Sequence, residues 1–176
     1  MTGSKKGKGR RSAEPKVVFE PIGVIRTPYK EDAPYQPVDS DEGDFRLVLR
    51  PEYSSGLERL ESFRYIYVLY FVHKIDREAE MKVFPPWAYG TEVGVFASRS
   101  PVRANRIGLS VVRLKGIEGN EVATSGLDVF DGTPLLDIKP YIKELDSKDD
   151  ANYGWVEELD DMEHLILHIK GIPHDY

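Results

Sequence analysis

Cysteine is absent from all 176 residues of the sequence. This absence excludes disulfide bonds, thiolate nucleophiles and zinc sites built on sulfur, and it is consistent with a reducing compartment. Apolar runs are also short, since none reaches the roughly 20 residues that cross a bilayer and the N-terminus lacks the apolar core of a signal peptide. We therefore expect a soluble, cytoplasmic protein without a membrane segment.

Several common catalytic signatures are missing as well. The sequence has no glycine-rich dinucleotide loop after a strand, no P-loop lysine and no nucleophile elbow. His164 and His168 have the spacing of two metal ligands on a helix, but the segment between them fits a strand equally well and no third ligand is near. We expect no metal site.

Acidic residues outnumber basic ones by 30 to 24, which gives a formal net charge of −6. The excess is local, because residues 144–163 contain nine acids and one base, whereas residues 17–143 contain 19 acids and 16 bases. Residues 1–16 contain six bases and one acid, and we expect a disordered tail that either contacts a nucleic-acid backbone or only aids solubility. The acidic total therefore does not exclude an anionic partner.

Short apolar and β-branched runs separated by turn residues predict a mostly β protein. Ser55 has the spacing of a capping box, which predicts a short helix through Leu57 and Glu61. We expect a single β-barrel domain of seven or eight strands and one or two short helices at residues 17–145, with an acidic extension at 146–176 packed on or next to it. The predicted strands are Val17–Arg26, Phe45–Arg50, Arg64–His73, Gly94–Ala97, Leu109–Leu114, Glu121–Leu127 and Leu135–Ile138.

The run RYIYVLYFVH at residues 64–73 is the most apolar stretch of the chain. It is too continuous for a strand with one wet face, so we expect both faces to be covered, and a partner subunit could be one cover. His73 closes this run and Lys74 follows it. A histidine at a strand end can carry a proton at a pocket mouth, or it can be a satisfied structural side chain.

The stretch 93–115 concentrates basic residues, including Arg99, Arg103 and Arg106, and no acid lies between Glu92 and Glu118. Guanidinium groups stay charged and present several fixed donors, so a loop that carries several of them suits carboxylate or phosphate groups. The alternative is an ordinary surface loop whose arginines pair with nearby acids.

Asp128, Asp131 and Asp137 lie around a later turn, where a carboxylate could accept a proton from an amine or a ribose hydroxyl. Asp131 precedes Gly132, an order typical of a turn, so turn chemistry is the alternative for that residue. Together these loops indicate an anionic or nucleotide-like ligand. The reaction does not follow from the residues alone.

Several phrases of the sequence, in order, resemble the TsaA-like family, the tRNA methyltransferase O group. The similarity runs from about residue 19 to residue 155, where YGW resembles the tail of short members. The matching phrases are PIGVIRTPYK (21–30), Gln36-Pro37, GLERLESF (56–63), VLYFVH (68–73), GVFASRSPVRANRIGLSVVRL (94–114) and LDVFDGTPLLDIKPYI (127–142).

The resemblance implies an S-adenosylmethionine-dependent methyltransferase built on a small β-barrel. It implies a homodimer with the methyl donor bound near the subunit interface. It also implies a tRNA substrate that reads threonine codons, methylated on the exocyclic nitrogen of threonylcarbamoyl-adenosine beside the anticodon. The alternatives are a non-catalytic barrel that binds S-adenosylmethionine or RNA, and a methyltransferase with a different acceptor.

In such a transfer the receiving nitrogen must shed a proton, which Asp131, Asp137 or His73 could take or which could leave to water. The resemblance implies the donor contacts. Donor contacts are expected at Pro37, Val38, Asp39, His73, Lys74, Arg99, Leu109, Phe130, Asp131, Gly132 and Thr133. Substrate or RNA contacts are expected at Arg103, Asn105, Arg106, Lys139 and Tyr141.

Three positions depart from the family pattern. Ala104 and Arg106 replace the two prolines that the central loop usually carries, and losing prolines loosens a loop. Tyr35 stands where many relatives carry arginine, and the separate C-terminal domain of longer bacterial members is not expected here.

Overall fold

A computed structural model of the protein describes residues 17–34, 43–88, 90–159, 166–167 and 172. Within them the chain forms short strands joined by turns and by short helices. The strands are β1 (Gly23–Arg26), β2 (Arg46–Leu49), β3 (Tyr65–Phe71), β4 (Lys82–Val83), β5 (Val93–Gly94), β6 (Ile107–Glu118), β7 (Glu121–Thr124) and β8 (Thr133–Pro140). The helices are α1 (Lys143–Asp146) and the 3-10 helices Pro51–Leu57, Leu60–Ser62, Val95–Ala97 and Gly154–Glu158.

Six of these strands form a closed antiparallel sheet in the order β1-β2-β7-β6-β3-β8. The sheet closes because β8 pairs both with β3 and with β1, so no barrel strand is left with an unpaired edge. Strands β4 and β5 form a separate two-stranded sheet. The predicted mostly β fold is confirmed, and the predicted seven or eight strands match the described total although only six enclose the barrel.

Every second side chain of a barrel strand points inward, and these inward side chains fill the barrel. In β3 the side chains of Ile66, Val68 and Tyr70 are buried, while their neighbours in the sequence are half-buried or exposed. Fully burying an aliphatic side chain contributes about 1.5–3 kcal/mol, so this inward set is a large part of the stability. The outer face is only half covered within this chain, in part by Tyr141, whose ring lies 5.5 Å from that of Tyr67.

Two predicted boundaries were wrong at the N-terminal side of the barrel. Strand β1 begins at Gly23 instead of Val17, because β2 offers partners only from Arg46 to Leu49. The helix expected from the capping box at Ser55 is a 3-10 helix that begins at Pro51 and has no side-chain cap. Proline at a helix start has its φ already set, so the helix begins there.

The later boundaries also differ from the sequence-based ones. The predicted strand Gly94–Ala97 is mostly a 3-10 turn, since β4 supplies only a two-residue partner. Strand β6 extends well beyond Leu109–Leu114, because β3 and then β7 pair along its length. Strand β7 stops at Thr124, short of the predicted Leu127.

Strand β8 contains a bulge that decides which way its later side chains face. Leu135 pairs with Tyr70 and Asp137 pairs with Leu69, so Leu136 is the extra residue. Leu135 is buried before the bulge and Ile138 packs against the core after it. Asp137 therefore shares the other face with Lys139.

The C-terminal segment packs on the small sheet. Trp155 stacks on Trp87 with ring centroids 5.5 Å apart and planes 7° apart, and its Nε1 donates to the carbonyl of Ala97 at 2.9 Å. No helix among the described residues is long and apolar enough to span a membrane. The predicted basic tail at 1–16 and most of 160–176 lie outside the described residues, so the domain boundaries stay predictions.

Candidate functional site

One end of the barrel brings together the C-terminal end of β3 and the turn that leads into β8. The hydroxyl of Thr133 donates to the carbonyl of Phe130 at 2.7 Å and lies 3.4 Å from Nδ1 of His73. Since the hydroxyl proton is used by Phe130, the contact with His73 requires the proton on Nδ1 and leaves Nε2 as an acceptor. We name this end of the molecule, with His73, Lys74 and residues 128–133, the His73 end.

Lys74 ties three segments together at the His73 end. Its Nζ donates to the carbonyl of Lys30 at 2.6 Å and lies 4.5 Å from the centre of the Phe130 ring. Burial lowers the pKa of His73, and the positive charge of Lys74 lowers that pKa further. The imidazole is therefore neutral at physiological pH.

The turn before β8 is held rigidly against β1. Asp131 accepts from the backbone N–H of Thr27 through Oδ1 and from Arg26 through Oδ2, each at 3.3 Å. The backbone N–H groups of Asp131 and Gly132 donate to the carbonyls of Tyr29 and Ile25. Gly132 has a φ of 79°, which glycine adopts without strain, so the Asp-Gly pair acts as the predicted turn.

Two of the predicted ligand arginines bind the protein's own backbone. Arg103 donates from Nη1 to the carbonyls of Val95 and Ser98 at 3.0 and 2.8 Å. Arg106 donates to the carbonyls of Ile75 and Arg77 at 2.7 and 2.8 Å. Both guanidinium groups therefore fasten the loop 98–106, and neither is paired with an acid within the described residues.

Arg99 differs from these two. Its side chain is exposed and makes no hydrogen bond or ion pair within the part of the chain that is described. Burial raises the pKa values of Asp128 and Tyr70 at the barrel mouth, and the charge of Arg99 partly offsets both shifts. Its guanidinium donors are available to a ligand at the His73 end.

Asp128 is the group that sequence reasoning undervalued. Its Oδ1 is buried and has no hydrogen-bond partner among the described residues. Burial raises the pKa of Asp128 to about 6, opposed by its own backbone N–H and by Arg99. The available sequence signal was an acid between two apolar residues, Leu127 and Val129, both of which are buried.

Tyr70 lies beside Asp128 inside the barrel. Its hydroxyl is 3.2 Å from Oγ of Ser110, and its ring packs so closely on Gly108 that a β-carbon there would be 2.0 Å away. Burial raises the pKa of Tyr70 to about 12, with a further contribution from the charge of Asp128. The mouth of the barrel thus contains a neutral phenol and a carboxylate within electrostatic reach of Arg99.

Some predicted site residues lie elsewhere. Asp137 is bonded to Lys139 at 2.7 Å and lies about 13 Å along β8 from Thr133, beside Leu69 in the middle of the barrel wall. Tyr141 packs on the rings of Tyr65 and Tyr67 at the other end of the barrel. Leu109 is 49% exposed on the outer face of β6, and Asn105 is exposed in its loop. Pro37, Val38 and Asp39 lie outside the described residues, as do His164 and His168.

A separate cleft of about 430 Å³ opens near Asp137. Its lining is mostly apolar, with Ile22, Tyr53 and Leu57 among its walls, and it shares no residue with the His73 end. No group of three or more possible metal ligands comes together within the described ranges. Of the candidate proton acceptors, His73 and Asp131 therefore lie at the His73 end, whereas Asp137 lines this cleft.

Comparison with known proteins gives a family and a fold. A family model described as the tRNA-methyltransferase O N-terminal domain matches residues 24–147. The crystal structure of TrmO from Pseudomonas aeruginosa is similar with a TM-score of 0.65 and 36% sequence identity, covering 79% of this chain and 62% of that one. The matched residues include all of the barrel strands except Gly23, the first residue of β1, and every residue of the His73 end.

Two relatives illustrate the range of similar sequences. A probable S-adenosyl-L-methionine-binding protein from Pyrococcus abyssi is 39% identical over 144 residues, which cover 81% of this chain and 77% of that protein. A tRNA (adenine(37)-N6)-methyltransferase from Mus musculus is 42% identical over 140 residues, which cover 74% of this chain and 32% of the relative. The matched part thus spans about a third of the length of the mouse protein.

Proposed function

Since this chain belongs to the tRNA-methyltransferase O family, we propose that it transfers a methyl group from S-adenosylmethionine to an adenine of tRNA. The observation that supports this proposal most directly is the His73 end, where a fixed turn, a neutral imidazole and an exposed guanidinium meet. Relatives are named as S-adenosyl-L-methionine-binding proteins and as tRNA (adenine(37)-N6)-methyltransferases. The reaction takes place in the cytoplasm in this proposal.

The residues of the His73 end fit the methyl donor. Arg99 presents unused N–H donors to the donor's carboxylate, and the backbone of 130–133 is already held by β1, so little ordering is required on binding. His73, Lys74 and Phe130 form the wall beside the adenosine. When bound, the donor supplies a methyl group activated by a sulfonium. Pro37, Val38 and Asp39 complete this proposed site.

The proposed acceptor is the exocyclic nitrogen of threonylcarbamoyl-adenosine beside the anticodon. Its threonyl carboxylate needs a cation, and Lys74 is an exposed cation at the His73 end. A methyl-transfer assay on two tRNA samples tests this acceptor. We expect tRNA that carries the threonylcarbamoyl group to be methylated and the same tRNA without that group to stay unmethylated. Equal transfer to both tRNAs would contradict this acceptor, and transfer to small molecules alone would contradict tRNA as the substrate.

The RNA-facing surface is proposed to be the loop 98–106 and the small sheet beside it. Asn105 is exposed there, whereas Arg103 and Arg106 act by holding the loop in place. The Phe96 ring is 80% exposed and lies 5.9 Å from the guanidinium of Arg103. An exposed ring beside cations suits unpaired bases, which stack on aromatic side chains. Lys139 and Tyr141 lie at the other end and are given no RNA contact in this proposal.

The proposed assembly is a homodimer built on the outer face of β3 and β6. Ile107, Leu109 and Val111 point outward from β6 and are 39–49% exposed, and Phe71 beside them is 37% exposed. Apolar side chains in such a contiguous row are typical of an interface. Strand β6 begins directly after the loop 98–106, so the interface would adjoin the donor site. Leu109 would then contact both the partner subunit and the donor.

Isothermal titration with S-adenosylmethionine tests the donor site. Arg99→Ala should weaken binding by about tenfold or more, because a charge-assisted hydrogen bond is worth about 1.5–3 kcal/mol. Lys115→Ala removes an exposed cation from β6, away from the loop that carries Arg99, and should leave binding unchanged. Binding by the wild type with no labelled-methyl transfer to any RNA would instead indicate a non-catalytic binder.

A further inference from the structure

Methyl transfer to an exocyclic nitrogen produces a proton that must leave that nitrogen. The candidate proton acceptors were His73, Asp131 and Asp137, and Asp128 is the third carboxylate of the turn region. A proton acceptor must have an oxygen that is not already committed to a strong donor, and it must lie where the nitrogen can reach it. These two requirements separate the three carboxylates.

Asp131 and Asp137 fail these requirements. Both oxygens of Asp131 are engaged, one by the backbone N–H of Thr27 and the other by Arg26. Asp137 accepts from the N–H of Ile138 and pairs with Lys139, and it lies on the far side of the bulge in β8. A carboxylate held by a cation is a weaker base than a free one.

Asp128 meets the first requirement through Oδ1, and the residue as a whole is half-buried, not enclosed, at the His73 end. Its Oδ1 has no hydrogen-bond partner among the described residues although it is buried, and a buried polar atom of that kind calls for a partner. It lies between the buried side chains of Leu127 and Val129, two residues before Phe130 in the proposed donor wall. Arg99 and the Tyr70 hydroxyl are its charged and titratable neighbours.

We propose that the carboxylate of Asp128 accepts the proton from the exocyclic nitrogen of the tRNA adenine during methyl transfer, a role that rests on the proposed function. The nitrogen's lone pair forms the bond to the methyl carbon. The carbon–sulfur bond breaks, and its electron pair stays on the sulfur, which becomes a neutral thioether. The N–H bond breaks and the proton passes to Asp128, which later releases it to water.

The surroundings of Asp128 suit this role. From β3 the phenol of Tyr70 faces it, from β6 Ser110 bonds that phenol, and from the loop 98–106 Arg99 adds a positive charge. Burial raises the pKa of Asp128 to about 6, so the carboxylate is ionised at neutral pH yet more basic than an ordinary aspartate. Activity should therefore fall as pH drops through the pKa of this group.

The test compares Asp128→Asn with Asp150→Asn, which makes the same change at an exposed position of the C-terminal segment. With saturating donor, Asp128→Asn should lower kcat by about 100-fold or more and remove the acid limb of the pH profile. Its affinity for S-adenosylmethionine should stay within threefold of the wild type. Asp150→Asn should match the wild type in all three measurements.

The carboxyl carbon of Asp128 gives a second measurement that requires neither turnover nor a variant. Labelling with ¹³C and titration by NMR should show this carboxyl titrating near pH 6, with a shift when S-adenosylmethionine binds, because a sulfonium nearby favours the ionised form. A carboxyl that titrates below pH 4 and ignores the donor would overturn the proposal even if the variant failed to fold.

The remaining outcomes are separable. A wild type that transfers methyl groups while Asp128→Asn is equally active overturns the role of Asp128 and leaves the proposed function standing. If Asp128→Asn weakens the affinity for S-adenosylmethionine but keeps the wild-type kcat at saturating donor, Asp128 is a donor contact and not the proton acceptor. A His73→Asn variant that loses the acid limb would assign the proton to the imidazole. A wild type that binds the donor and methylates no RNA overturns both proposals.

Discussion

A β-carbon added at Gly108 would lie 2.0 Å from the ring of Tyr70. The two residues are paired across β3 and β6, so the ring lies on the backbone of the neighbouring strand. That contact places the Tyr70 hydroxyl at Ser110 and beside Asp128. The glycine is therefore a packing requirement of the barrel mouth.

We expect Gly108→Ala to lower the free energy of unfolding by about 1–3 kcal/mol, because the buried ring must move to admit a methyl group. Urea unfolding measures this change. Gly116→Ala is the matched control, since it lies in the same strand and its β-carbon would meet no atom within 4 Å. Equal stability of the two variants would contradict the close packing.

Asp128→Asn should stabilise the protein at neutral pH. The folded-state pKa of Asp128, about 6, is above the ordinary value of 3.8, so the folded protein holds this proton more tightly and the ionised form is a cost. The cost is absent below pH 3.8, grows between pH 3.8 and 6, and is complete above pH 6, where it amounts to about 3 kcal/mol.

Thermal unfolding between pH 4 and pH 8 measures this effect. The advantage of Asp128→Asn over the wild type should grow with pH and level off above pH 6, whereas Asp150→Asn should show no such trend. A residue that destabilises the fold and is nevertheless present at a site is typical of functional groups. A variant less stable than the wild type at pH 8 would show that the carboxylate has a partner in the folded protein.

Val111→Glu should disrupt the proposed homodimer, because it introduces a charge into the row of Ile107, Leu109 and Val111. Analytical ultracentrifugation should find a dimer for the wild type and a monomer for the variant. Val18→Glu is the control, since Val18 is 71% exposed and lies outside the barrel. A wild-type monomer at micromolar concentration would contradict the interface.

Phe96→Ala should weaken tRNA binding by about five- to 100-fold, since stacking of one base on an aromatic ring contributes about 1–3 kcal/mol. Donor binding should not change, which a parallel titration checks. Phe84→Ala removes a ring that is 61% exposed on the same small sheet but away from Arg103. If Phe96→Ala binds tRNA as tightly as Phe84→Ala does, the surface on which the bases stack does not include Phe96.

Strand β2 could be predicted from its alternation, because a barrel wall requires one buried face, and β3 could be predicted from its continuous apolar run. The Asp131-Gly132 turn was equally predictable from local chemistry. The partners of Arg103 and Arg106 were not, since those guanidinium groups bind carbonyls that only the folded chain brings near. The separation of Asp137 from Asp131 follows from the extended strand between them, and the face on which Asp137 lies depends on a bulge that no local pattern indicates.

Arg106 also explains a departure from the family pattern. Its φ is 49°, a value that proline cannot adopt, so this chain builds the loop with a different backbone from one that carries proline there. The bonds from its side chain to Ile75 and Arg77 supply the restraint that prolines would otherwise give. The substitution is thus compatible with an ordered loop.

The stacking of Trp155 on Trp87 has a practical consequence. These are the only two tryptophans in the sequence, and their near-parallel rings couple electronically, so they should give an exciton signal in circular dichroism. Trp155 is also bonded to Ala97, two residues before Arg99. The protein therefore contains its own unlabelled optical reporter of the contact between its acidic C-terminal segment and the residues that lead into the loop 98–106.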